Sequence, residues 1–227
     1  MTTRGGASRP GEPKTGFRSA FLIAAAILLV CTGARAESPA RTILCLGDSL
    51  TAGYGLSADE AWPALVQRRM EEAGIAGEVV NAGVSGDTTA GGLRRIDWVL
   101  NRPVDVLVIA LGGNDALRGL ATGEMERNLQ RIIDRARELH PNVRILLAGM
   151  LAPRNLGEDY TRAFDAVIPR VAEKNQIALW PFILEGVGGV PELNLDDGIH
   201  PNAEGHRRIA EQAWVHLRPI LTADYAD

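Results

Sequence analysis

Four short polar stretches hold the residues able to do chemistry. Gly47-Asp48-Ser49-Leu50-Thr51-Ala52-Gly53 presents a serine hydroxyl between glycines. Asn81-Ala82-Gly83-Val84-Ser85-Gly86-Asp87-Thr88 and Gly112-Gly113-Asn114-Asp115 are glycine-rich and carry amides and carboxylates. Asp196-Asp197-Gly198-Ile199-His200-Pro201-Asn202 joins two carboxylates to a histidine. A serine becomes a nucleophile when a base takes its proton, and that base needs an acceptor on its other ring nitrogen to fix tautomer and orientation. Asp197 and His200, three residues apart, are able to supply both, with Asp196 competing as the acceptor. A tetrahedral intermediate also needs donors aimed at its oxyanion, which the backbone N–H groups of Ser49 and Gly83 and the Asn114 amide would serve. The serine does not lie in a G-x-S-x-G elbow, because Thr51 stands where the second glycine belongs. Taken singly, each stretch is most simply a turn.

The elements that must position these loops alternate strictly. Apolar runs over Thr42 to Leu46, Glu78 to Asn81, Val104 to Leu111, Val143 to Gly149 and Ile177 to Trp180 predict five strands. Between them, helical spacing covers Trp62 to Ala73, with Asp59 before it and Gly74 at its end, and Thr89 to Leu100. Further helices cover Glu124 to Leu139 and Tyr160 to Lys174, and a last one runs from Asn202 or Ala203 to about Leu221. Each crossover must lay its helix over the sheet, so the pattern predicts an α/β fold, a parallel five-stranded sheet between two helical layers. Ligands of such folds bind beyond the carboxyl ends of the strands, where the polar stretches fall.

Together the four stretches resemble the SGNH (GDSL) hydrolase family, whose four marker residues match Ser49, Gly83, Asn114 and His200. NAGVSGDTTAGGL, LGGNDALRG and DDGIHPN are similar to its branch of bacterial acyl-CoA thioesterases, lysophospholipases and arylesterases, from about Ile43 to the final helix. The resemblance implies a flavodoxin-like three-layer fold with Ser49 as nucleophile, His200 as base and Asp197 as its orienter. It also implies an oxyanion hole from the Ser49 N–H, the Gly83 N–H and the Asn114 side chain, and no cofactor. The family's Asp-x-x-His spacing favours Asp197 over Asp196. A metal site from Asp197, His200, Glu204 and His206 lacks a recognised ligand spacing, and the family uses no metal.

Other polar residues read as structural. Asp48 and Asp115 are expected to bond the backbone of their own loops. His140, His206 and His216 are expected at the surface or complementing helix dipoles. Cys45, in an apolar run, reads as a small buried hydrophobe.

Of 227 residues, 46% are hydrophobic and 23% charged, which excludes disordered, fibrous and polytopic membrane classes. Arg4, Arg9, Lys14 and Arg18 precede an apolar run from Ala20 to Cys31, and Ala34-Arg35-Ala36 has the form of a signal-peptidase site. Residues 1–36 are therefore expected to be a signal peptide cleaved after Ala36, with an uncleaved amino-terminal anchor as the alternative, and 37–227 a single exported hydrolase domain without stable membrane insertion after cleavage. That remainder holds 19 Lys or Arg against 27 Asp or Glu, which argues against nucleic acid as partner. The expected reaction is hydrolysis of a small-molecule ester or lipid by a monomer in the periplasm or outside the cell. The partly apolar loops Met150 to Gly157 and Phe182 to Leu195 suit a wall for an acyl chain. A carbohydrate-ester deacetylase of the same family is the alternative enzyme, and a non-catalytic binding domain the alternative outside enzymes.

Overall fold

The computed structural model describes residues 40–223. The targeting segment expected over residues 1–36 lies outside them.

The apolar runs form strands β1 (Arg41–Gly47), β2 (Gly77–Gly83), β3 (Val106–Ala110), β4 (Arg144–Ala148) and β5 (Ala178–Trp180). They make one parallel sheet ordered β2-β1-β3-β4-β5. Right-handed crossovers running in opposite directions from β1 place the helices in two layers. Helix α2 (Trp62–Glu72) packs with α8 (Ala203–Thr222) in one layer. In the other, α3 (Thr89–Val99) packs with α5 (Thr122–Leu139), and α5 with α7 (Val167–Asn175).

Burial follows the sequence pattern. Ile43, Leu44, Cys45 and Leu46 on β1 and Val106, Leu107, Val108 and Ile109 on β3 are wholly buried, as central strands covered on both faces must be. The stripe Met125, Leu129, Ile132, Ile133 and Ala136 closes α5 onto them.

Two expectations change. The helix over Tyr160 to Lys174 is two helices, α6 (Glu158–Asp165) and α7, parted at Ala166. Pro169 lies in the first turn of α7 and has no N–H for the Asp165 carbonyl, so a continuous helix would lose that bond. The first and third polar stretches, read as turns, each wind into a short helix, α1 (Ser49–Ala52) and α4 (Gly113–Leu117).

The sheet order reverses at β1, whose neighbours are β2 on one side and β3 on the other. A crevice opens at such a switch point. Ser49 starts the element after β1 and Asn114 lies in the one after β3.

Candidate active site

Ser49 opens α1 directly after β1. Asp48 caps this turn, its Oδ1 accepting the Leu50 N–H at 3.0 Å. The turn is pressed against the sheet: a Cβ on Gly47 would lie 2.0 Å from Thr51 Oγ1, and one on Gly83 would lie 2.2 Å from the Ala52 nitrogen. Asn81 ties the turn to β2, donating from Nδ2 to the Thr51 carbonyl at 2.9 Å.

His200 arrives from the loop before α8. Its Nε2 lies 2.9 Å from Ser49 Oγ and its Nδ1 2.6 Å from Asp197 Oδ2. The other carboxylate oxygen of Asp197 accepts the backbone N–H groups of Ile199 and His200, both at 2.9 Å. The His200 backbone and side-chain hydrogen bonds hold the Asp197 carboxyl down at about 2, so it is ionised and acceptor-only at neutral pH. Nδ1 must then carry the imidazole proton, which leaves Nε2 as the acceptor for the serine O–H. The carboxylate joined to His200 is thus Asp197, while its neighbour Asp196 is exposed.

Asn114, near the start of α4, donates from Nδ2 to the Asp87 carbonyl at 3.0 Å, and the same nitrogen lies 3.4 Å from Asp48 Oδ2. Asp87 is fixed by Arg95, whose Nε reaches its Oδ2 at 2.6 Å. The same guanidinium donates to the Ala82 carbonyl at 2.7 Å and the Gly47 carbonyl at 2.9 Å, clamping the ends of β2 and β1. Asp48 is 2% exposed, and desolvation raises its carboxyl to about 6 against the opposing pull of the Leu50 N–H and His200.

Gly83 and Gly86 separate here. The Gly83 N–H donates to Asn81 Oδ1 at 3.0 Å, and this glycine packs beneath the serine turn. Gly86, three residues on and left-handed at φ 82°, lines the same cavity as Ser49, Asn114 and His200. That cavity measures about 470 Å³, and Leu117, Met150, Leu151, Pro153, Phe182 and Leu184 form much of its wall. Both loops expected to form an apolar wall therefore contribute to it.

Two histidines depart from expectation, and one aspartate goes beyond it. His206 is 1% exposed on α8, and its Nδ1 accepts the Trp62 N–H at 3.1 Å. His216 stacks on Trp180 with ring centroids 5.9 Å apart. Both turn inward because α8 packs against α2 and β5. His140, half-buried, approaches the Leu100 carbonyl at 3.1 Å. Asp115 reaches beyond its own loop: besides its own backbone N–H, it accepts the Thr89 N–H at 2.8 Å and the Thr89 hydroxyl at 2.6 Å, joining α4 to α3. Among the described residues no three His, Cys, Asp or Glu are grouped to hold a metal ion, and no helix is long and apolar enough to cross a membrane.

Residues 45–208 match the family model of the GDSL-like lipase/acylhydrolase family. The chain is 42% identical over 186 residues to an esterase, TesA, of Pseudomonas aeruginosa, spanning 82% of this chain and 92% of that protein. It is 40% identical over 200 residues to thioesterase 1/protease 1/lysophospholipase L1 of Escherichia coli, spanning 87% of this chain and 91% of that protein. Among solved structures, the psychrotrophic esterase EstA of a Pseudoalteromonas species superposes with a TM-score of 0.76 at 30% identity, over 81% of this chain and all of that one.

Proposed function

The chain belongs to the GDSL-like lipase/acylhydrolase family, and from that premise we propose that it is an exported serine esterase working through Ser49, His200 and Asp197. The observation that carries this reading is the unbroken chain of contacts from Asp197 through His200 to Ser49, at 2.6 and 2.9 Å, ending in a largely apolar cavity.

His200 Nε2 takes the Ser49 proton as Oγ attacks the ester carbonyl, and Asp197 holds the imidazolium that results. Negative charge collects on the carbonyl oxygen. Donors for it are the Ser49 N–H, which the first turn of a helix leaves without an intrahelical acceptor, and the Asn114 amide, whose NH₂ gives one hydrogen to Asp87 and the other to Asp48 in a long 3.4 Å bond that the oxyanion would take over. Gly86, which borders the cavity, is the third donor in place of Gly83, whose N–H is engaged by Asn81. The alcohol then leaves with the proton from His200, and water repeats the sequence on the acyl-enzyme.

The apolar wall favours an acyl chain over a bare acetyl group. Aryl esters and lysophospholipids are accordingly the substrates of this reading, with acyl thioesters accepted by the same chemistry. Export rests on the charged, apolar and A-x-A pattern of residues 1–36, with a monomer in the periplasm as the working form.

The test is hydrolysis of p-nitrophenyl esters from acetyl to palmitoyl, with Ser49→Ala in parallel. Serine-dependent turnover that rises beyond acetyl is expected. Acetyl-only turnover would shift the reading to a deacetylase, and turnover that persists in Ser49→Ala would remove the triad.

A further inference from the structure

Tyr54 belongs to the nucleophile's own turn, yet its ring lies against the base. Its N–H donates to the Ser49 carbonyl at 3.1 Å. The residue before it, Gly53, closes α1 in the left-handed conformation at φ 77°, where a Cβ would also meet Ala61 Cβ at 2.7 Å. The residue after it, Gly55, is left-handed too at φ 79°, and a Cβ there would come 2.7 Å from Leu195 Cδ1. Two conformations that side chains other than glycine adopt at a cost therefore bracket this one tyrosine. They swing its ring to 4.4 Å, centroid to centroid, from the His200 imidazole, at 36° between planes. Leu195, which Gly55 faces, is itself joined to the base within the His200 loop, its N–H donating to the His200 carbonyl at 2.7 Å.

Both nitrogens of His200 are taken, one by Asp197 and one by Ser49, so the ring face is what remains to be held. The Asp197–His200 segment is largely exposed and offers His200 little packing of its own. Charged and titratable groups around the imidazole are Asp197 from its own loop, Asp48 from the serine turn and His206 from α8. An aromatic face beside these groups attracts a cation more strongly than a neutral ring.

We propose that Tyr54 is a positioning residue for acyl transfer: its ring fixes the plane of the His200 imidazole and stabilises the imidazolium present while His200 holds the serine proton. In that step the Ser49 O–H bond breaks, the Nε2–H bond forms, the Oγ electron pair makes the bond to the carbonyl carbon, and the carbonyl π pair moves onto oxygen. This inference rests on Ser49 and His200 being nucleophile and base.

Tyr54 also lines the cavity, so a role confined to substrate contact has to be told apart from positioning. The experiment measures kcat and KM on a short ester, together with the rate of inactivation by a small fluorophosphonate, which reads serine activation without filling the acyl wall. Variants are Tyr54→Leu, Tyr54→Phe and Ser49→Ala, each checked by circular dichroism and thermal melting. In Tyr54→Leu, kcat and the inactivation rate are expected to fall together by about two- to fivefold, the worth of one exposed cation–π contact, with KM little changed. Tyr54→Phe restores most of that loss, because the ring and not the hydroxyl acts. A Tyr54→Leu protein inactivated at the wild-type rate, a loss confined to KM, or a Tyr54→Phe loss equal to that of Tyr54→Leu would each overturn the inference while Ser49→Ala remains dead. Turnover or phosphonylation of Ser49→Ala would instead overturn the reading beneath it.

Discussion

His206 caps a helix from 144 residues away. Its Nδ1, on α8, accepts the N–H of Trp62, the first residue of α2, at 3.1 Å, and α2 has no side-chain cap of its own. Asp59, which the sequence offers for that end, pairs instead with Arg68 at 3.4 Å on the surface. The bond requires an unprotonated Nδ1, and burial lowers the His206 imidazole from its ordinary 6.5 to about 4.

Stability should therefore respond to mild acid in a way two substitutions can dissect. Between pH 6.5 and 4 the unfolded chain protonates His206 and the folded protein does not, so this residue's contribution is full above 6.5 and lost by up to about 3 kcal/mol as pH falls to 4. Asp48 acts oppositely: its carboxyl is raised to about 6 in the fold, so acidification from 6 towards 3.8 relieves a cost of similar size. Wild-type stability is expected to be nearly flat across this window. Urea unfolding of His206→Asn, which keeps an acceptor near the Nδ1 position, should show stability rising on acidification, and Asp48→Asn should show it falling. Identical pH profiles for both variants and wild type would remove both assignments.

Asp197 and Asp196 are adjacent carboxylates in unequal positions. Asp197→Asn removes the ionised acceptor that sets the His200 tautomer, and turnover is expected to drop by roughly 10⁴-fold. Asp196→Asn should stay within about twofold of wild type, as surface substitutions away from the reacting groups do. Steady-state kinetics on one p-nitrophenyl ester checks both, and the opposite ranking would exchange their roles.

Loss of one oxyanion donor costs about 10²- to 10³-fold in turnover, so Asn114→Ala is expected to be folded but that much slower. A crystal structure of the phosphonylated enzyme would locate the backbone donors. The phosphoryl oxygen should lie about 3 Å from the Gly86 nitrogen, with the Gly83 N–H still on Asn81. An oxygen bound at Gly83 would restore that residue to the hole.

Arg95 fastens three strand and loop ends through one planar group, and both it and Asp87 are less than a fifth exposed. Arg95→Gln leaves the Asp87 carboxylate without its ionic partner and should lower stability by about 2–3 kcal/mol, with kcat falling because Asp87 holds Asn114. Arg95→Lys should recover only part of this, since an ammonium lacks the fork that reaches three acceptors. Urea midpoints together with kcat decide it; Arg95→Lys behaving as wild type would mean that charge alone suffices.

What the sequence determined by itself was whatever short-range pattern encodes. Apolar runs of five to eight residues read as strands because burial on both faces demands it, and strict alternation with helices made the sheet parallel. Polar stretches at the strand ends placed Ser49, Asn114, Asp197 and His200 where a parallel sheet opens its crevice, and Asn202 announced the start of α8 by its side chain, which accepts the Glu204 and Gly205 N–H groups. Tertiary structure decided whatever depends on which distant backbone approaches which. Gly83 and Gly86 share one glycine-rich stretch in which the resemblance marked Gly83, whereas the packing of Ala52 against Gly83 and the opening of the cavity at Gly86 separate them in space. The polar stretch after β1 was read only as far as Gly53, and Tyr54 just beyond it carries no sign in sequence of its ring's partner, which lies in a loop nearly 150 residues later. His206 follows the same rule: helical periodicity places it on α8, while its burial and its bond to Trp62 exist only because α2 and α8 share one face of the sheet.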